Sequence, residues 1–193
     1  MRARRLSRCW GLILARGVTA LAFGLTACVW PARVEPVLAP GFGAYALIDG
    51  LLSCLIGLLA RAGGARRRLG FLIAGVFGIV AGVCALALPG WTDLMAIGLV
   101  AGWAFATGIV EIAMSAPLRR GDADAWLSVV GGLASVSFSV LLAWRPTVGG
   151  PAVVWAIGWY GLAFGVLLTI WAARLEGRHA VRQTRPMRGA SST

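Results

Sequence analysis

The chain has 193 residues, of which 59% are hydrophobic and only 13% charged, with a formal net charge of +11. Ordinary soluble domains are about 25% charged, so a soluble fold of this length has no way to hide so much apolar surface. All the basic residues are arginine, and they flank long apolar runs. That pattern assigns the charge to membrane orientation rather than to nucleic acid.

The first apolar segment, 9–30, poses a choice. It contains Leu25-Thr26-Ala27-Cys28, which has the form of a bacterial lipobox. A signal peptide needs an uninterrupted apolar core of about 7 to 15 residues. Here Arg16 leaves only the stretch from Gly11 to Ala15 before it. The segment therefore reads as a permanent span, and Cys28 as a small packing residue. Segments 41–61, 69–88, 93–115, 126–144 and 151–173 follow. At about 1.5 Å per residue each reaches across a bilayer core of about 30 Å. In lipid a backbone must satisfy its own hydrogen bonds, so all six read as helices. The fold class expected is all-α, a polytopic membrane bundle of six transmembrane helices in one domain (9–175), with repeats at about 9–61, 69–115 and 126–173. Basic tails, 1–8 and 176–193, flank it, the second expected to be disordered. The segment 61–68, RAGGARRR, reads as a flexible basic loop that contacts anionic headgroups.

Arginine sets the orientation. Arg2, Arg4, Arg5 and Arg8 precede span 1. Arg61, Arg66, Arg67 and Arg68 separate spans 2 and 3, Arg119 and Arg120 separate spans 4 and 5, and Arg174, Arg178, Arg182, Arg185 and Arg188 follow span 6. Only Arg33 and Arg145 lie on the other side. The positive-inside rule places both termini in the cytoplasm. Abundant Ala and Gly with no lysine suggests a bacterial genome rich in G and C, and hence the inner membrane.

Aligned on Pro31, Pro89 and Pro146, the chain repeats three times. Gly17, Gly75 and Gly132 correspond, as do Gly24, Gly82 and Ser139, then Gly43, Ala101 and Gly158, then Tyr45, Trp103 and Tyr160, then Gly50, Gly108 and Gly165. Blocks 17–50, 75–108 and 132–165 align without a gap. Each copy is a helix, a short Pro-marked turn and a returning helix. The first helices carry Ala20/Gly24, Gly78/Gly82 and Ser135/Ser139. The second carry Ala46/Gly50, Ala104/Gly108 and Gly161/Gly165. Small residues four apart share one helix face and let backbones approach closely in lipid. Because each copy has two spans, all three hairpins have the same orientation, related by a pseudo-threefold axis along the membrane normal. Inverted repeats, the common plan of alternating-access transporters, are not what the sequence contains.

The runs ARGVTALAFGLTACVWP with FGAYALIDG, GVFGIVAGVCALALPG with GWAFATGIVEIAMSA, and SVSFSVLLAWRP with GWYGLAFGVLL resemble the HdeD family of bacterial acid-resistance membrane proteins. The resemblance covers about 15–175. It implies six spans built from short hydrophobic repeats and a role in surviving acid stress. The third copy departs from the pattern at Ser139 and has Phe164 where the first has Asp49, so no symmetric polar site is expected in all three copies.

Arg16, Asp49 and Glu111 fall inside spans, where ionisable residues are costly and each is by default a functional hypothesis. In the repeat alignment Asp49 is equivalent to Thr107, and Ser53 to Glu111. Asp49/Ser53 and Thr107/Glu111 are thus one polar face in two copies. Counting about 1.5 Å per residue, Arg16 lies roughly 6 Å, and Glu111 roughly 10 Å, to the cytoplasmic side of its span centre. Asp49 lies near mid-span. Arg16 can pair with Glu111, reach to Asp49, or snorkel to the cytoplasm. One role for the cluster is intramembrane glue. The other is proton-linked, because low dielectric disfavours a charged carboxylate.

Other residues carry less. Glu35 and Asp93 occupy equivalent outer turns, with Gly150 in the third copy. Cys9, Cys28, Cys54 and Cys84 form no CxxC motif and read as apolar packing residues. With His179 alone in the tail, neither a metal site nor a nucleophile–base constellation can be assembled. Trp103, Trp155, Trp159 and Tyr160 read as interface anchors or packing residues. No enzyme, cofactor or metal is expected. The lipid bilayer is the expected partner, with nucleic acid excluded. The function expected is a non-enzymatic membrane component in acid-stress tolerance. The alternatives are a small channel or proton-coupled transporter, and a scaffold that binds itself or another membrane protein through its small-residue faces.

Overall fold

The structure is a computed structural model, and it describes residues 10–59, 65–88, 90, 93–115, 123–144 and 151–183. Its elements in chain order are α1 (Trp10–Val29), α2 (Pro31–Val34), a 3-10 turn (Glu35–Val37), α3 (Leu38–Leu59), α4 (Ala65–Ala87), α5 (Asp93–Ser115), α6 (Ala123–Trp144) and α7 (Pro151–Gln183). The described residues form no strand, and six helical stretches are long and apolar enough to span a membrane. The protein is an all-α, six-helix membrane bundle.

Local sequence accounts for the helix ends. Proline begins α2 and α7, where its missing N–H leaves no helical bond unmade. After Pro31 the chain does not make a simple turn: it stays helical through α2 and the 3-10 turn into α3. Glu35 sits in the first turn of that 3-10 segment. Between α4 and α5 the backbone reverses at Gly90, with φ of 77°, a conformation open to glycine. Residues 65–68 of the expected basic loop are the first turn of α4, as alanine and arginine favour helix. Likewise α7 runs on to Gln183, so the beginning of the expected second tail is helical. Residues 1–9, 61–64 and 184–193, with Pro89, Pro146 and Gly150, lie outside the described residues.

The helices form a ring in the order α1, α3, α4, α5, α6, α7, which closes between α7 and α1. Three seams are tight: α3 with α4, α5 with α6, and α7 with α1. Each joins the second helix of one repeat to the first helix of the next. The small-residue faces explain it. A Cβ added to Gly50 would stand 2.6 Å from Ile79 N, one on Gly24 2.6 Å from Leu162 N, and one on Gly108 2.8 Å from Gly132 O. Backbones therefore touch, which is how helices associate in lipid without a hydrophobic driving force. The hairpin partners α1/α3, α4/α5 and α6/α7 touch far less. Large side chains hold them apart. Leu25, Leu51, Val76, Leu133 and Leu141 cover the outside of the ring and are exposed, as a lipid-facing surface requires.

Candidate functional site

The second helix of each repeat faces the axis. Its side chains meet there in layers of three equivalent positions. Phe42, Val100 and Ile157 form one layer, each 2% exposed. Next come Tyr45, Trp103 and Tyr160, then Asp49, Thr107 and Phe164, then Ser53, Glu111 and Leu168, then Ile56, Met114 and Trp171. The periodicity is that of a helix face, with steps of three or four residues.

The first layer is apolar and the second aromatic. Phe23 stacks on Tyr45 (centroids 5.1 Å apart) and its equivalent Phe138 stacks on Tyr160 (4.2 Å). The middle copy has the small Ala81 there, opposite the larger Trp103. Trp103 instead meets Phe42 and Tyr45 edge-on at 5.5 and 5.7 Å. The Tyr160 hydroxyl lies 2.7 Å from the Ser135 hydroxyl.

The third and fourth layers hold the charges. Arg16 enters from α1 where the other repeats have Ala74 and Gly131, so there is room on the axis for one guanidinium. Its Nε donates to Asp49 Oδ1 at 2.8 Å and an Nη donates to Oδ2 at 3.0 Å. Both residues are buried, 5% and 2% exposed. Among the alternatives the sequence leaves open, Arg16 thus pairs with Asp49. The fork-to-carboxylate geometry is the strongest arrangement open to such a pair. No ion pair joins Arg16 to Glu111. Glu111 is half-buried, and its Oε2 is buried with no hydrogen-bond partner. Thr107 donates back to Trp103 O at 2.8 Å within its own helix. Ser53 is fully buried and its hydroxyl has no partner. The five polar residues singled out by the repeat alignment therefore share two adjacent layers, but only Arg16 and Asp49 bond to each other.

Glu111 also lines a small, water-sized cleft of about 30 Å³ toward the arginine-rich end of the bundle. Arg16, Arg67, Ser128, Gly131 and Trp171 share its wall. Sequence reasoning assigns Arg67 to orientation and to contact with anionic headgroups, and gives Gly131 and Trp171 no role. The repeat alignment holds a signal for both: Gly131 stands where the first copy has Arg16, and Trp171 lies one turn beyond the Glu111 layer. Trp103 is a buried axial residue rather than an interface anchor, whereas Trp155 and Trp159 are exposed. The Trp155 indole donates to Cys28 O at 2.8 Å.

The small-residue faces are taken up within the chain. Gly17 and Gly24 meet Gly161 and Gly165, Gly50 meets Gly75 and Gly78, Gly82 meets Gly43 and Leu47, and Gly108 meets Gly132. Cys28, Cys54 and Cys84 form no disulfide.

A protein-family model described as a short repeat of unknown function (DUF308) matches residues 15–80 and again residues 73–144. Residue 15 in the first match corresponds to residue 73 in the second by the shift that carries Pro31 onto Pro89. No curated protein and no solved structure matches the chain.

Proposed function

The chain belongs to the DUF308 short-repeat family, and from that premise we propose that it acts without catalysis in tolerance of acid stress. Its place is the bacterial inner membrane, with both termini in the cytoplasm. The arginine distribution supports the orientation, and the resemblance to the HdeD family supports the stress role. One structural observation carries the reading. Glu111 holds a buried carboxylate oxygen without a partner, in the layer next to the bidentate Arg16–Asp49 pair. Among the described residues Asp49 has a cation bonded to it and Glu111 has none, so a proton can supply the partner that Glu111 Oε2 lacks. Taking one up removes a charge from the bundle interior toward its arginine-rich end and changes how the axial helices pack. Ser53, the equivalent position of the first repeat, is likewise buried with an unpartnered hydroxyl, an acceptor in the same layer for the resulting acid.

A channel is the weaker reading. It needs a continuous polar path, and the layers Phe42/Val100/Ile157 and Tyr45/Trp103/Tyr160 lie across the axis. A scaffold acting through small-residue faces is also weaker, because those faces already meet each other.

The test is survival of a deletion strain at low pH, complemented with the wild type, Asp49→Asn or Glu111→Gln, with membrane abundance measured in parallel. Glu111→Gln is expected to accumulate normally and to lose protection. Wild-type survival with both variants removes the proton-linked role. Loss of both variants from the membrane leaves the cluster as structural glue.

A further inference from the structure

The cleft beside Glu111 is walled by α1, α4, α5, α6 and α7 together. Gly131 leaves its space open: Glu111 Oε2 stands 3.1 Å from where a Cβ on Gly131 would be, and nothing else lies within 4 Å of that position. Two buried polar atoms on residues of the wall lack partners, the Glu111 Oε2 acceptor and the Trp171 Nε1 donor. Buried polar atoms without partners are uncommon and ask for an explanation. A buried water needs about 10–15 Å³ and two to four polar partners. The cleft's volume of about 30 Å³ has room for about two, and its wall offers one acceptor and one donor that no described residue satisfies.

The two ends of the bundle are not equivalent for Glu111. Ser115, the last residue of α5, is four residues away, about 6 Å along the helix. Trp171 lies on that side, one axial layer beyond Glu111. The Arg67 guanidinium lies over its ring, 5.3 Å from the centroid, and Arg67 belongs to the first turn of α4, where Arg66 and Arg68 are exposed. In the other direction Val100 is eleven residues away, about 16 Å. The Asp49/Thr107/Phe164 layer comes first, where Arg16 holds Asp49 and Thr107 donates to its own helix. Behind it the rings of Phe42, Tyr45 and Trp103 pack on one another, with Val100 and Ile157 buried alongside. Among the described residues the charged and titratable groups around Glu111 are Arg16 on α1, Tyr45 and Asp49 on α3, Arg67 on α4 and Tyr160 on α7. Arg16 and Asp49 are bonded to each other, so protonating Glu111 breaks no ion pair.

We infer that the cleft is a hydration site, whose waters bridge Glu111 Oε2 and the Trp171 indole and carry protons to Glu111 from the arginine-rich end alone. A hydronium ion at that end gives up a proton, which passes along the waters to the carboxylate. The carboxylate becomes the acid, and each water is restored. Glu111 thereby follows the pH of the compartment at the arginine-rich end and not that of the opposite one. The inference rests on proton uptake by Glu111, as proposed above, but not on its consequence for survival.

Two measurements test it. In the detergent-solubilised full chain with isotope-labelled tryptophan, NMR reads exchange of each indole N–H with water, the signals being assigned with Trp171→Phe and Trp103→Phe. Trp103 is the internal control, because its Nε1 is also buried without a partner but lies outside the cleft. Trp171 is expected to exchange at least about tenfold faster than Trp103, since it needs no opening of the bundle. Gly131→Leu fills the cleft without altering any charge and is expected to slow Trp171 to the Trp103 rate. Equal rates in the wild-type chain overturn the inference. The second measurement uses sealed vesicles holding the chain in one orientation, read by protease access to its C-terminal end. A lipid-soluble carbodiimide, which adds to a protonated carboxyl and not to a carboxylate, is applied while one face is acidified, and mass spectrometry reads the adduct at Glu111. Acid at the arginine-rich face is expected to raise the adduct about tenfold per pH unit while the group is mostly ionised, as for one proton. Acid at the other face is expected to leave it at baseline. A response to the opposite face, or to both equally, overturns the inference, and a response to neither overturns it together with proton uptake by Glu111. Wild-type survival of the Glu111→Gln strain beside one-sided labelling of the native chain removes the acid-stress role and leaves the proton route standing.

Discussion

At the scale of single residues, the pairing of Arg16 with Asp49 rather than Glu111 turns on which helices are neighbours. Both carboxylates are within an arginine's reach in depth, and depth is all that counting residues along a span supplies. Asp49 stands on α3, next to α1 in the ring, whereas Glu111 stands on α5. The contrast among equivalent positions is also informative. Where the first copy has Arg16 and Asp49, the second has Ala74 and Thr107 and the third Gly131 and Phe164, so each copy fills its share of the axis differently. The polar layers were therefore legible in the repeat alignment, and the bond within them was not. A buried ion pair loses about 3–5 kcal/mol when one partner is removed, yet replacing both by apolar residues of similar volume is often neutral or stabilising. Arg16→Met and Asp49→Leu, each alone, are expected to destabilise the bundle by about that amount, and the double variant to recover most of it. Thermal unfolding of the four proteins in one detergent closes the cycle. Additive losses would show that the two side chains do not act as a unit.

At the scale of helices, the small-residue spacing in each span correctly announces close backbone contact, but it leaves open which helix meets which. Within a hairpin both helices carry such a face, so either pairing satisfied the sequence. The structure brings α3 to α4, α5 to α6 and α7 to α1 because the within-hairpin seams hold Phe23 on Tyr45, Phe138 on Tyr160 and Arg16 on Asp49. Such groups need space that a backbone contact cannot give. The three tight seams are copies of one another: positions equivalent to Gly17 against Thr169 are Gly75 against Cys54 and Gly132 against Ile112. A methyl group at a seam glycine meets backbone that has nowhere to go. Gly24→Ala is expected to cost about 1–3 kcal/mol through overpacking. Gly102→Ala, where nothing lies within 4 Å, should instead gain about 0.5–1 kcal/mol from helix propensity. Melting temperatures of the two variants against the parent decide this, and equal shifts would contradict the seam.

At the scale of the whole molecule, three like-oriented copies imply a closed arrangement, and closure has to bring the first helix to the last. The repeat alignment predicts the axis but not this contact, since the residues that meet lie at opposite ends of the chain. Nor does the family match reach it, because residues beyond 144, including all of α7, lie outside the matched stretches. The α7/α1 seam is where the geometry can be trapped chemically. A Cβ at Gly158 would stand 2.7 Å from the native Cys28 sulfur, near the separation that a disulfide requires, while the Trp155 indole fixes the same end of the seam by its bond to Cys28 O. Gly158→Cys is therefore expected to form a disulfide with Cys28 under mild oxidation in membranes. After proteolytic cleavage between α4 and α5, the two fragments should stay joined on a non-reducing gel and separate on reduction. Adding Cys28→Ser should abolish the link. If Gly158→Cys yields only separate fragments, or links equally well without Cys28, the ring does not close between its first and last helices, and the repeats must be arranged as an open array.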